Sequence, residues 1–253
     1  MVEVTGSVIK LVRSLSQKKA RDAEGRFLAE GRKCVDETLG HFACDMIIAT
    51  KGWAEEHQDC PWAGKITVAT ERQMRRMSQF STPGDVIAVY ATPRHDVDPG
   101  RLPGSLSVAL DGVQDPGNLG AIIRLADWFG VDDVYCSPAT ADAYSHKVVQ
   151  ATMGAISRVR VHYLDLVELL GQCEGIDVYG TFLDGDDIYR ASLGGTGLVI
   201  FGNEGRGISP QVAALVGGRL LIPSYPAGAA RVESLNVGSA VAVVLSEFRR
   251  RMT

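Results

Sequence analysis

The sequence predicts an α/β protein: a parallel-sheet α/β domain over 105–253, preceded by a smaller α/β domain over 1–92 and a linker over 93–104. Three observations carry this expectation. Short apolar runs of strand type alternate with helical periodicity along nearly the whole chain. The stretch Thr92–Gly104, with three prolines, two glycines and no periodicity, divides that alternation. Strands alternating with helices of similar length imply parallel pairing with helices on both faces. At 253 residues, 45% hydrophobic and 22% charged, the chain has the size and balance of a globular protein with one large or two small cores.

In the first domain, Thr5 to Arg21 reads as one helix, with Val8, Leu11, Val12 and Leu15 on one side. Arg26–Glu30 is a strand, Gly31–Leu39 a helix, and Asp45–Thr50 and Lys65–Ala69 are strands. Thr70-Glu-Arg-Gln73 has the pattern of a capping box and opens a basic helix through Met77. Asp85–Ala91 is the last strand before the linker. His41-x-x-Cys44 and His57-x-x-Cys60 offer zinc-type ligands, but Cys44 leads straight into an apolar strand and Pro61 crowds Cys60, so no metal is expected.

The second domain opens with strand Leu106–Asp111, a Gly/Pro loop, and a helix from Asn118 to about Phe129 that Gly130 stops. Strand Asp133–Cys136, helix Tyr144–Ala151, strand Arg158–Val161, helix Asp165–Cys173 and strand Asp177–Phe182 come next. Beyond the loop Asp184–Leu193 come strand Leu198–Phe201, the turn Gly202–Gly207, and a helix with Ser209 as cap and Pro210 at its first position. Strand Arg219–Ile222 leads through a Gly/Ala/Pro loop into a final helix, which is apolar on every side over Ala240–Leu245 and should be buried against more than one surface.

Ligands of parallel sheets bind beyond the carboxyl ends of the strands, and three such loops here carry unusual chemistry. In the first, Arg124 lies off the core stripe of Ile122, Leu125, Ala126 and Phe129. It either pairs with Asp127 or stacks on Trp128, or it faces a phosphate or reacting hydroxyl. The second places Glu204 and Arg206 among glycines, which allow close backbone approach. In the third, Ser234 and Asn236 stand two residues apart at a helix entrance. One of them caps the helix, or both serve a site from the preceding turn.

The net charge of −4 is uneven. Residues 1–33 hold eight Lys/Arg against four acids, a balance of +4. A basic segment on an acidic chain points to a polyanionic partner or to a solvated helix face. The candidate contacts are Lys18, Lys19, Arg21, Arg26, Arg32 and Lys33. No apolar run reaches bilayer length, and the first residues lack a signal peptide's apolar core. Five cysteines without a CxxC pair fit a reducing, cytoplasmic setting.

Together these residues resemble the SpoU/TrmH family of RNA 2′-O-ribose methyltransferases, in the SPOUT class. DPGNLGAIIRLADWFG matches the family's first motif, VIFGNEGRGIS its second and LIPSYPAGAARVESLNVGSAVAVVLSE its third; KVVQATMGAISRV matches an intervening segment. The resemblance covers residues 106–250. More loosely, the N-terminal part resembles the small ribosomal-protein-like RNA-binding domain often joined to the family. The resemblance implies S-adenosyl-L-methionine as cofactor, a C-terminal trefoil knot, a homodimer through the knotted domain, and structured RNA as substrate, rRNA ahead of tRNA. It places catalytic roles on Asn118, Arg124, Glu204, Ser234 and Asn236, and cofactor contacts on Thr181, Gly202, Ile222 and Leu235. Arg124 is then either the general base or an electrostatic stabiliser. The chain departs from the family pattern by a longer loop at Tyr225–Arg231. Two other classes remain: a catalytically inactive RNA-binding or ribosome-assembly protein, and a nucleotide-dependent oxidoreductase. The missing GxGxxG spacing argues against the second.

Overall fold

The structure, a computed structural model, describes residues 2–226 and 232–252. The chain forms two compact units, Met1–Arg94 with Asp142–Arg158, and His95–Ala141 with Val159–Thr253.

The first unit begins with β1 (Val2–Glu3), α1 (Gly6–Ser14), α2 (Lys18–Glu24), β2 (Arg26–Glu30) and α3 (Arg32–Thr38). It continues with β3 (Cys44–Ala49), α4 (Lys51–Glu56), β4 (Ile66–Val68), α5 (Glu71–Met77) and β5 (Val86–Ala91). The strands make a mixed sheet in the order β1-β4-β3-β5-β2. The expected capping box is present: the Gln73 N–H donates to Thr70 Oγ1 at 3.3 Å, and Gln73 Oε1 accepts from the Thr70 N–H at 2.8 Å. The single helix expected over Thr5–Arg21 is instead two. Thr5 caps the first, and near its end Ser14 and Ser16 fold their hydroxyls onto the carbonyls of Leu11 and Arg13, at 2.7 and 2.8 Å. Such side-chain bonds compete with helix continuation.

The second unit contains β6 (Leu106–Asp111), α6 (Pro116–Trp128) and β7 (Asp133–Cys136). The next helix, α7 (His146–Thr152), packs with the first unit although the sequence expectation places it in the second domain. Its Val148 and Val149 are fully buried, Tyr144 packs 4.9 Å from Phe27 of β2, and Gln150 Nε2 donates to the Glu30 carbonyl at 2.8 Å. Arg21 holds the start of the same segment through Asp142, with Nε 3.0 Å from Oδ2.

The chain then adds β8 (Arg160–Tyr163), α8 (Leu166–Leu170), β9 (Val178–Asp187) and β10 (Gly197–Gly202), followed by α9 (Pro210–Ala213), β11 (Gly218–Leu221) and α10 (Val237–Arg250). The sheet is parallel throughout, in the order β11-β9-β10-β6-β7-β8. β6 and β10 are buried along all but their last residue, as central strands covered on both faces should be. The strand expected at Arg158–Val161 starts two residues later because a 3₁₀ turn at Ala155–Ser157 intervenes. β9 runs to Asp187, into the expected loop, because β11 pairs with it again beyond a register shift at Arg219/Leu220.

On β7, one strand in from the edge of this sheet, Asp133 is 5% exposed and accepts from Arg160 Nε and Nη2 of the edge strand β8, each at 2.7 Å, and lies 2.8 Å from His162 Nε2. Burial alone would raise its pKa; the bonds from His162 and Arg160 win and hold the carboxyl well below the usual range. Because the folded pKa is depressed, this stabilisation is complete above the ordinary carboxylate pKa and is lost as the pH falls beneath it. Asp133→Asn should therefore cost about 1–3 kcal/mol at neutral pH, since it removes the buried acceptor that Arg160 and His162 share, while Arg160 keeps Asp132 at 3.5 Å. Urea unfolding at pH 7 and pH 3 checks this. The gap between variant and wild type should narrow at the lower pH.

Candidate active site

Asp111 and Gly202 end β6 and β10 side by side in register. The two loops that follow are laced together. The Ser209 N–H donates to Asp111 Oδ2 at 2.7 Å, and Asn203 Nδ2 donates to the Gly112 carbonyl at 2.7 Å. Gly112, at φ +74°, turns the first loop, and its N–H donates to Ser137 Oγ at 2.9 Å. In the second loop Asn203 and Gly207 exchange backbone bonds of 3.0 and 2.9 Å, while Asn203 Oδ1 accepts from the N–H groups of Gly205 and Arg206. A Cβ on Gly202 would lie 2.1 Å from the Gly207 carbonyl carbon. No side chain fits there, so the close approach that Gly202 permits is first of all to its own chain.

The first loop delivers α6 two residues earlier than expected. Asp115 is its cap, with Oδ1 2.8 Å from the Asn118 N–H, and Pro116 takes the first position. Asn118 thus sits in the first turn. Its Nδ2 donates to Glu204 Oε1 at 2.9 Å, and its Oδ1 accepts from Asn236 Nδ2 at 2.9 Å. Asn236 is the cap of α10, with Oδ1 accepting from the Ser239 N–H at 3.2 Å. The direction of this relay is fixed at both ends. A backbone N–H can only donate, and an ionised carboxylate can only accept, so each amide between them has one permitted orientation. Of the five predicted catalytic residues, Asn118, Glu204 and Asn236 are therefore joined. Asn236 is both the cap and a member of the constellation.

Arg124 is exposed on α6. Among the described residues its guanidinium has no hydrogen bond or ion pair, and Trp128, 83% exposed, does not stack on it. Between Asn118 and Arg124, Ala121 lies against Gly238 of α10, where an added Cβ would be 3.7 Å away. Ser234 stands exposed on the turn before α10. Thr181 Oγ1 donates to the Ile200 carbonyl at 3.3 Å, which ties β9 to β10, and Ile222 follows β11 half-buried. Leu235, Val232 and Leu183 are 50%, 80% and 69% exposed. Apolar side chains left open to solvent suit an apolar-faced ligand with polar groups at its rim. The longer loop at Tyr225–Arg231 lies, for residues 227–231, outside the described residues. A cleft of about 400 Å³ opens elsewhere on this unit, at the amino ends of the strands between Ser105, Asp132 and Arg249, and does not include the relay.

The predicted RNA contacts of the first unit fare unevenly. Arg21 is only 6% exposed. Besides Asp142, its Nη1 serves the carbonyls of Leu15 and Ser16 at 2.8 and 3.0 Å, so it is a structural residue and not a surface contact. Arg26 pairs with Asp45 and Glu24, Arg32 with Asp85 and Glu56, and Lys18 with Asp22. Lys19 and Lys33 are exposed. Sequence reading also missed Asp111, Asp115 and Asn203. The Asp-Pro pair at 115–116 was the available signal for the helix cap.

Comparison with known proteins gives a consistent result. The family model described as SpoU rRNA Methylase matches residues 105–246, and that of the MRM3-like substrate binding domain matches residues 7–88. A Bacillus subtilis (strain 168) protein named 23S rRNA (guanosine(2553)-2′-O)-methyltransferase RlmP is 29% identical over 244 residues, 95% of each chain. A solved structure of a TrmH-family protein from Porphyromonas gingivalis matches with a TM-score of 0.89 at 40% identity, covering 99% of this chain and 100% of that one. The AdoMet-bound rRNA methyltransferase from Sinorhizobium meliloti matches with a TM-score of 0.86 at 28% identity, covering 100% and 98%.

The relay makes two substitutions unequal. Glu204→Gln keeps an acceptor oxygen for Asn118, whereas Asn118→Asp sets one carboxylate against another. Asn118→Asp should lower stability by about 1 kcal/mol and release the Glu204 side chain while still accepting from Asn236, and Glu204→Gln should do neither. Thermal melting would report the difference, and the side-chain amide NMR signal of Asn236 should persist in both variants.

Proposed function

This chain belongs to the SpoU rRNA methylase family, and from that premise we propose that it is an S-adenosylmethionine-dependent RNA methyltransferase acting on a ribose 2′-hydroxyl, with rRNA ahead of tRNA as substrate. The observation that carries the reading is the relay itself. Asn118, Glu204 and Asn236 come from the three separate motifs and meet through directed hydrogen bonds, with an unpaired arginine further along the same helix. The names of the Bacillus subtilis and Sinorhizobium meliloti proteins support rRNA as the substrate class.

Thr181 on β9, Gly202 at the end of β10, Ile222 just past β11 and Leu235 before α10 would hold the cofactor. When bound, S-adenosylmethionine supplies an electrophilic methyl group carried on a sulfonium. The chain's own part is positioning and charge. A ribose hydroxyl is a poor nucleophile, and holding it in line with the methyl accounts for much of the attainable rate. Arg124 serves as a fixed cation, since a guanidinium does not give up its proton in proteins. It binds the phosphate beside the target ribose and stabilises negative charge developing on the 2′-oxygen. Asn118 sits at the amino-terminal turn of α6 and Asn236 caps α10, and both helix ends favour anions. Ser234, on the turn before α10, lines the same approach.

The finer parts of the reading rest on separate support. A trefoil knot in the C-terminal segment is characteristic of the SPOUT class to which the family belongs. A homodimer would cover α10, whose Ala240, Ala242 and Val243 remain only partly buried in one chain. The cytoplasm suits five free cysteines, and among the described residues no helix is long and apolar enough to cross a membrane. The first unit would bind the RNA, in keeping with the substrate-binding family model over 7–88.

Arg124→Ala should reduce methyl transfer to RNA by about 100- to 1,000-fold and leave S-adenosylmethionine affinity within a factor of about two. Labelled-methyl assays and calorimetry on the same preparation test both halves, and wild-type turnover in the variant would remove Arg124 from the mechanism. Val243→Arg should convert a dimer to a monomer, read as a halved mass in light scattering. A wild-type chain that is already monomeric at micromolar concentration would refute the dimer.

A further inference from the structure

We propose that the first unit holds the RNA backbone in the groove between α1 and α5, through Lys10, Arg13 and Arg76, and not through the arginines of α2, β2 and α3. This rests on the reading of the protein as an RNA methyltransferase. The groove encloses about 510 Å³, and its lining includes Ile9, Lys10, Arg13, Ser14, Gln17 and Arg76. No acidic side chain lines it.

The contrast with the rest of the unit is one of compensation. Arg21, Arg26, Arg32 and Lys18 all carry carboxylate partners. Lys19 stands three residues before Asp22 on α2, and Lys33 shares helical rows with Asp36 and Glu37. Among the described residues, Lys10, Arg13 and Arg76 have neither an ion pair nor a side-chain hydrogen bond, and all three are exposed. Helix stability explains them only in part. Lys10 and Arg13 lie three apart on α1, and Arg72 and Arg76 four apart on α5, spacings at which like charges repel. A basic residue in a last helical turn complements the helix dipole, which accounts for Arg13 and Arg76, but Lys10 and Arg72 are not in last turns. What remains is a row of cations across two packed helices, on a chain whose net charge is −4. Such a row fits a polyanion that spans several charges. A phosphodiester backbone has that chemistry, and neutralising it releases counterions in proportion to the contacts made.

The test uses the full chain, its Lys10→Gln/Arg13→Gln/Arg76→Gln variant, and an unmodified 23S rRNA transcript as probe. Glutamine is a good helix former, so α1 and α5 should persist, and thermal melting and S-adenosylmethionine affinity should match wild type. The slope of log Kd against log salt should fall by about two to three, with affinity down about tenfold or more. Lys18→Gln/Lys19→Gln/Lys33→Gln, which removes as many charges, should change the slope by less than about one. Inorganic phosphate at millimolar concentration should not displace the transcript. Unchanged affinity and slope in the groove variant, or an equal loss in the other triple variant, would overturn the proposal, as would wild-type binding that does not depend on salt. Salt-dependent binding by wild type without methyl transfer would leave the groove standing and sink the enzymatic reading instead.

Discussion

Three separate sequence motifs of the second unit are joined by one short chain of hydrogen bonds, from the Ser239 N–H through Asn236 and Asn118 to Glu204. In strength it is modest. Its members are exposed or, for Asn118, half-buried, and each such bond contributes only about 0.5–1.5 kcal/mol net. Its importance is directional. An amide side chain can present oxygen or nitrogen to a neighbour with little difference in shape, and here that ambiguity is removed by an obligate donor at one end and an obligate acceptor at the other. Two helix starts and a glycine loop are thereby held in a single relative arrangement. The half-buried bonds beneath, from Ser209 to Asp111 and from Asn203 to Gly112, supply the rigidity on which that orientation rests.

The first unit shows how a count of charges differs from a distribution of charge. The basic segment identified in the sequence is real, yet several of its cations are occupied in holding the unit together. Arg21 is the clearest case: one guanidinium closes the break between α1 and α2 and also grips Asp142. Glu30, 2% exposed, is the complementary case. Burial would raise its pKa, but contacts from His146, Ser78 and the Gln79 N–H hold it below the ordinary range.

Elements whose cause is local were legible in the sequence. β6 and β10 read as apolar runs because both their faces are covered, and the Thr70 capping box needs only the residues between 70 and 73. The candidate catalytic set came from resemblance, because its members lie in recognisable motifs, and the hydrogen bonds join three of the five. What could not be read was pairing at a distance. Nothing near Asp133 announces Arg160, and nothing near Asp111 announces the Ser209 N–H. Periodicity also says that 146–152 is a helix without saying which core it joins. The same limit applies to Gly202: spacing marks a place where backbone must come close, but not what comes close to it.

That misplaced helix has a consequence for how the protein is made. α7 closes over β2 and buries Val148 and Val149, so the first unit lacks part of its core until residue 158 has been synthesised, sixty-four residues after the rest of the unit ends at Arg94. At translation rates of about 5–20 residues per second, that is a wait of roughly 3–13 s. During it Phe27 and its neighbours on β2 lack their cover while β6 and β7 of the second unit are being synthesised. The order of synthesis thus gives the nascent chain a defined interval in which its first half is open to a chaperone or to mispairing.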